Sequence, residues 1–190
     1  MTLAACGTQP RQDESEPKGD FKVQVKRASF PERQKLAKRS DLVITVRNAG
    51  NKTIPDLAVT VNGFDRRVNI PELADPSRPI FVVNGKPEKI GGLPEAKEAA
   101  PGGGETALVN TWALGTVKAG AEKTFRWTVT AVRAGPFRIS YRVAAGLQGK
   151  AKAVAPGGGH PAGVFSGTVS NTPPQSRVAD DGHTVINGTR

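Results

Sequence analysis

From Phe21 onward the chain alternates. Phe21, Val23 and Val25 are apolar while Lys22, Gln24 and Lys26 are polar, the two-residue period of a strand with one buried face. The period returns in Leu42, Ile44 and Val46 against Val43, Thr45 and Arg47, and again in Phe125, Trp127, Val129 and Ala131. It appears once more in Phe137, Ile139, Tyr141 and Val143, set against Arg138, Ser140 and Arg142. Shorter extended stretches are DLAVTVNG from Asp56, GKAKAVA from Gly149 and GVFSGTVS from Gly163. Gly, Pro and Asn punctuate these runs, and in the turn at 48–51 Gly50 is the residue able to supply a positive φ. Seven or eight short strands spaced in this way predict an all-β, antiparallel sandwich. Two stretches, PERQKLAKRSD from Pro31 and LPEAKEAA from Leu93, lack an apolar stripe wide enough for a core helix and read as loop decoration.

One long interruption breaks the pattern. Residues 64–111 contain Pro71, Pro76, Pro79, Pro87, Pro94 and Pro101 together with the apolar patch IFVV, and connections of this length are usually functional or disordered. The first half carries enough apolar residues to pack on the sandwich. A binding surface on this insertion would use Arg66, Arg67, Arg78 and Phe81, with Trp112 beside it. The alternative is that the insertion covers a sheet edge and Trp112 belongs to the core. The resulting division is 1–6 as an apolar scrap, 7–20 as a tether, 21–170 as the sandwich with its insertion at 64–111, and 171–190 as a C-terminal tail.

The scrap holds the chain's one cysteine, Cys6. The residues Leu3, Ala4, Ala5, Cys6 and Gly7 resemble the lipobox of bacterial lipoproteins, in which a leucine and two small residues precede the cysteine that receives the lipid. That resemblance implies a lipid on Cys6, attachment to the extracytoplasmic face of the bacterial cell membrane, and a Met1 that is internal to, or a truncated start of, the signal peptide. Residues 7–20, GTQPRQDESEPKGD, mix charge with Pro and Gly and read as a solvated tether spanning roughly 20 Å. The alternative for Cys6 is an incidental cysteine at a frayed chain start.

The pieces LVITVRNAGNKTIPDLAVTV, LGTVKAGAEKTFRWTV and AGPFRISYRVAAGL resemble the immunoglobulin-like, adhesion-related modules of bacterial surface proteins over residues 21–155. The resemblance implies a sandwich fold and a binding or adhesion role, carried by structural motifs and not by chemical ones. A core disulfide is excluded by the single cysteine. Where such folds often carry a corner tyrosine, this chain has Phe137, which keeps the packing without the hydroxyl.

Charge adds a second lead. The 190 residues carry 27 Lys and Arg against 17 Asp and Glu, a net charge of +10. The excess is uneven: residues 18–47 hold nine basic against three acidic residues, a net +6. Lys22 and Lys26 fall on the polar face of the first strand, which predicts a basic face near the tether, attracted to anionic lipid or an acidic wall polymer. The alternative is a solvated surface that serves solubility. No nucleic-acid recognition motif accompanies the charge.

Catalytic chemistry finds no support. His160 and His183 stand at no metal-ligand spacing from other His, Cys, Asp or Glu residues. Asp180, Asp181 and Gly182 read as a turn, and neither PGGG is followed by the Lys-Ser/Thr of a phosphate loop. No Gly-x-Ser-x-Gly occurs around Ser166 or elsewhere. The expectation is a non-enzymatic module with no cofactor and no metal, binding a protein, a wall polymer or a membrane surface. The competing expectation is a carbohydrate-binding accessory domain of an extracellular enzyme system, stacking Trp112, Phe64 or Tyr141 on sugar rings. Exposure of those rings decides between the two.

Overall fold

The computed structural model describes residues 16–67, 71, 77–84, 88–90, 104–105, 110–172 and 176–187. Cys6 lies outside them. Among the described residues fourteen strands follow one another: β1 (Gly19–Ser29), β2 (Arg33–Lys35), β3 (Arg39–Asn48), β4 (Ala58–Asn62), β5 (Phe81–Val83), β6 (Glu88–Ile90) and β7 (Gly104–Glu105). The second half adds β8 (Thr111–Ala113), β9 (Glu122–Ala131), β10 (Gly135–Ala144), β11 (Ala151–Val154), β12 (Ala162–Ser170), β13 (Ser176–Val178) and β14 (Val185–Asn187). The described residues contain no helix.

The strands form an immunoglobulin-like sandwich. One sheet runs β11-β1-β3-β9-β5, with β6 following β5 along the same edge of β9; the other runs β2-β12-β10-β4-β8-β7. In the lettering of that fold, β1, β3, β9 and β5 occupy the places of A, B, E and D, and β4, β10 and β12 those of C, F and G. The chain enters one sheet at β1, dips to the other at β2, where Arg33–Lys35 pair in parallel with β12, and returns for β3. The basic stretch from Pro31 thus supplies an edge strand. Its return turn is held by Ala37, which has a φ of +62° and donates its N–H to the Ala131 carbonyl at 2.8 Å.

A β-bulge resets the alternation in β1. Val25 pairs with Val46 and Arg27 with Thr45, so Lys26 is the extra residue. Before it, Phe21 and Val23 face the core; after it, the phase moves by one and Phe30 becomes the next core residue. In the 48–51 turn Gly50 does not adopt the positive φ expected of it. The buried amide of Asn48 closes the turn instead, donating to the carbonyls of Lys52 at 2.8 Å and Val117 at 2.9 Å, while its Oδ1 accepts from Gly50 N–H at 3.1 Å.

Two aromatic clusters fill the space between the sheets. Trp127 stacks on Phe125 with centroids 5.6 Å apart and meets Trp112 edge-on at 5.4 Å. Phe30, Phe64, Phe81 and Phe137 pack edge to face at 5.2–6.3 Å. The second sheet makes room for its rings with glycines. Gly163 pairs with Tyr141 and Gly167 with Phe137 across β10 and β12, and each ring lies over the position its partner's Cβ would occupy.

Beyond β12, β13 and β14 form a separate hairpin, so residues 171–190, read as a tail, include paired strands. Asp180, Asp181 and Gly182 form its turn. The Asp181 carboxylate accepts from His183 N–H, Thr184 N–H and the Thr184 hydroxyl, and those bonds, the hydroxyl's foremost, hold its pKa below the ordinary value.

Candidate functional site

The register gives the sandwich two distinct ends. The tether end holds residues 16–19, the turn at 48–57, the turn at 114–121 and the loop at 145–150, because Gly19 pairs with Ala151, Arg47 with Glu122 and Ala58 with Ala144. The distal end holds residues 30–38, 62–67, 77–80 and 132–134, because Arg39 pairs with Thr130, Phe81 with Ala131, and Lys35 with Ser170. The eleven residues of β1 separate the ends by about 35 Å at the rise of a strand.

That separation divides the sequence-derived candidates. Arg66, Arg67 and Arg78 converge at the distal end. Arg67 forms a bridge with Pro79 and donates from Nη1 to the Ser77 carbonyl at 3.2 Å, while Arg78 Nη1 reaches the Val132 carbonyl at 3.4 Å. Each bond orients a guanidinium and leaves other N–H groups for a ligand. Lys22 lies at the tether end and Lys26 on the bulge between the two, both exposed. The excess over 18–47 is therefore not one basic face near the tether: Arg33, Lys35, Lys38 and Arg39 stand at the far end from Lys18 and Lys22. Contiguity in sequence became opposition in space because β1 runs the whole height of the domain.

Phe81 and Trp112 are core residues, 2 % and 8 % exposed, and cannot present their rings to a partner. Phe81 packs on Phe30 at 5.4 Å and Phe137 at 5.2 Å. Its burial follows from the pairing of β5 with Ala131 on the inner face of β9. The stacking residues of the carbohydrate reading share this fate. Trp112, Phe64 and Tyr141 are all buried, and of the ten aromatic side chains in the sequence nine are buried and the tenth, Phe165, is partly buried against the core. A sugar platform has no ring left to use.

Arg133 also stands at the distal end. It continues the inward phase of Phe125, Trp127, Val129 and Ala131, and it is buried. At the tether end, Lys52, Lys118 and Lys150 are exposed. They come from three separate turns, so no sequence window groups them.

The tether end also fixes where the chain enters. Glu16, read as part of the tether, accepts from the backbone N–H groups of Gln148 and Ala151, each at 2.7 Å, which holds residues 16–20 on the domain. Close by, burial raises the pKa of Asp56; the Gly115 backbone partly offsets this and the charge of Glu16 adds to it. Asp56 Oδ1 has no hydrogen-bond partner among the described residues. A carboxyl whose pKa is higher folded than unfolded binds its proton more tightly in the native state, so its contribution to stability is lost as pH rises from about 4 through the folded pKa. Asp56→Asn is accordingly expected to gain stability relative to wild type as pH rises to neutrality, by urea unfolding over a pH series. A difference independent of pH would contradict this.

Nothing at either end assembles reaction chemistry among the described residues. No group of three or more His, Cys, Asp or Glu side chains is placed to hold a metal ion. His160 and His183 are exposed on separate loops. What the distal end offers is positively charged hydrogen-bond donors, those of Arg67 and Arg78 oriented by backbone carbonyls, suited to carboxylate or phosphate groups.

The sequence matches no protein-family model and no curated protein sequence. Among solved structures, the chain is similar to the CARDB domain of the PF1109 protein from Pyrococcus furiosus, solved in complex with di-metal ions, at 13 % identity and a TM-score of 0.45 over 86 % of this chain and 100 % of that one. It is also similar to part of the native conformation of E. coli alpha-2-macroglobulin, at 15 % identity and a TM-score of 0.38, covering 82 % of this chain and 7 % of that one. A third similarity is to part of a β-glucosidase from Listeria innocua, at 13 % identity and a TM-score of 0.36, covering 80 % and 16 %. These likenesses concern architecture alone.

Proposed function

We propose that the chain is a non-enzymatic immunoglobulin-like binding module, lipid-anchored through Cys6 to the extracytoplasmic face of a bacterial membrane, with its ligand face at the distal end. The observation that carries this reading is the opposition of the two ends: residues 16–19 enter at one, and Arg66, Arg67 and Arg78 stand at the other, about 35 Å away. An anchor on the amino-terminal side would turn those arginines outward. The partner is an acidic protein segment or wall polymer, whose carboxylates or phosphates match guanidinium forks.

The anchor is tested by labelling cells with a clickable fatty acid while they express the gene with the codons preceding Met1. Wild type is expected to take up the label and Cys6→Ser to lose it. Label retained by Cys6→Ser, or absent from both, removes the anchor and leaves a binding module of another location.

A further inference from the structure

We infer that the tether end of the sandwich is a second, separate interaction surface, built to rest on anionic phospholipid headgroups. Six lysines, Lys18, Lys22, Lys52, Lys118, Lys150 and Lys152, are exposed on or next to the segments that meet there. Among the described residues four carboxylates share the region, and two of them are partly buried. Glu16 is engaged by the amides of Gln148 and Ala151, and Asp56 is half-buried. Among the described residues, Asp20 and Glu122 remain exposed beside the six lysines. Lys22 and Lys52 flank an open depression of about 460 Å³, floored by Phe21, Ala49 and Gly50 and edged by Asp20 and Asn51.

The residue types fit a lipid surface better than a shaped ligand. A lysine ammonium is a hydrated point charge on a long stem, suited to diffuse attraction, whereas the distal end concentrates arginines suited to bidentate contacts. No aromatic ring is fully exposed anywhere on the chain, so contact is electrostatic and peripheral, not insertional. This surface rests on the anchored reading in one respect: the ten residues from Cys6 to Glu16 reach at most about 36 Å, which keeps this end next to any membrane that holds Cys6.

The test needs no lipid on the protein. The full chain carrying Cys6→Ser is sedimented with vesicles of phosphatidylcholine containing about one-third phosphatidylglycerol, at low and high salt. Binding is expected at low salt, lost at high salt, and absent with pure phosphatidylcholine. Lys22→Gln, Lys52→Gln, Lys118→Gln and Lys150→Gln combined are expected to weaken it roughly hundredfold, at about one kcal/mol per lysine discounted for residual charge. The combination Arg33→Gln, Lys35→Gln, Lys38→Gln and Arg39→Gln removes as many charges from the distal end and is expected to change binding less than about threefold. A second readout is independent of those variants. With Cys6 replaced, a single cysteine introduced as Lys118→Cys or Lys35→Cys takes a donor dye, and energy transfer to headgroup-labelled vesicles is expected to be stronger from position 118. No binding at low salt, equal weakening by both sets of substitutions, or stronger transfer from position 35 each overturns the inference. So does equal binding to a soluble polyanion that displaces the vesicles at matched charge, which would assign the surface to a wall polymer. Failure of fatty-acid labelling would leave these results standing, and failure here would leave the anchor standing.

Discussion

Trp127→Ala is expected to destabilise the domain by about 3–5 kcal/mol, measured as a fall in the urea midpoint with little change in slope. The side chain is fully buried on the inner face of β9, lying parallel to Phe125 with an interplanar angle of 6° and edge-on to Trp112 at 77°. Its Nε1 has no hydrogen-bond partner among the described residues. The loss is therefore one of apolar burial, ring contact and the cavity left behind, with no polar bond to subtract. The rings are held by two sheets that pair over ten-residue strands, so collapse around the gap is restricted and the cost falls toward the upper part of the range. A loss below about 1.5 kcal/mol would show that the two sheets relax around the gap. Trp112→Ala is expected to act in the same way, through stability, and not through loss of a surface contact.

Gly167→Ala is expected to cost about 2–4 kcal/mol, lowering the thermal midpoint by roughly 5–15 °C. A Cβ at this position would lie 2.5 Å from Phe137 Cζ and 2.7 Å from the Glu32 carbonyl carbon. Phe137 cannot move aside, because Phe30 and Phe81 hold it at 5.5 Å and 5.2 Å. Glu32 offers backbone rather than a flexible side-chain tip, and its carbonyl accepts the Thr168 N–H at 2.8 Å. Relief of the clash therefore requires β2 to part from β12. Hydrogen exchange at Thr168 and Leu36, whose amides bond across that pair, is expected to rise more than exchange in β3 or β9. An unchanged midpoint would mean that β2 is already loosely held.

These two positions differ in how far the sequence announced them. Trp127 stands in an unbroken alternation from Phe125 to Ala131, so its inward orientation is a local consequence of strand geometry. Gly167 is one small residue in a strand of small residues. Its role depends on Phe137, thirty positions earlier, and on Glu32, which is far away in sequence but lies beside it where β2 meets β12. The long strands were legible for the same reason that Trp127 was: ten residues with period two overdetermine a face. Three-residue strands such as β2, β5 and β8 contain one full period at most, and only pairing with β12, β9 and β4 defines them. The insertion read as a loop thereby contributes an edge strand, and Phe81 passes from binding candidate to core.

The sequence by itself determined that this is a two-faced, all-β chain with a single cysteine and a basic net charge. Those properties follow from composition and from the two-residue period, which act locally. Only the tertiary structure decided which charges act together. A strand about 35 Å long carries neighbours in sequence to opposite ends of the domain, while turns separated by a hundred residues meet at one end. Electrostatic attraction depends on distance in space, screened over about 10 Å; the meeting of Lys18, Lys52, Lys118 and Lys150 at one end, and of Arg33, Arg66 and Arg78 at the other, is a property of the strand register.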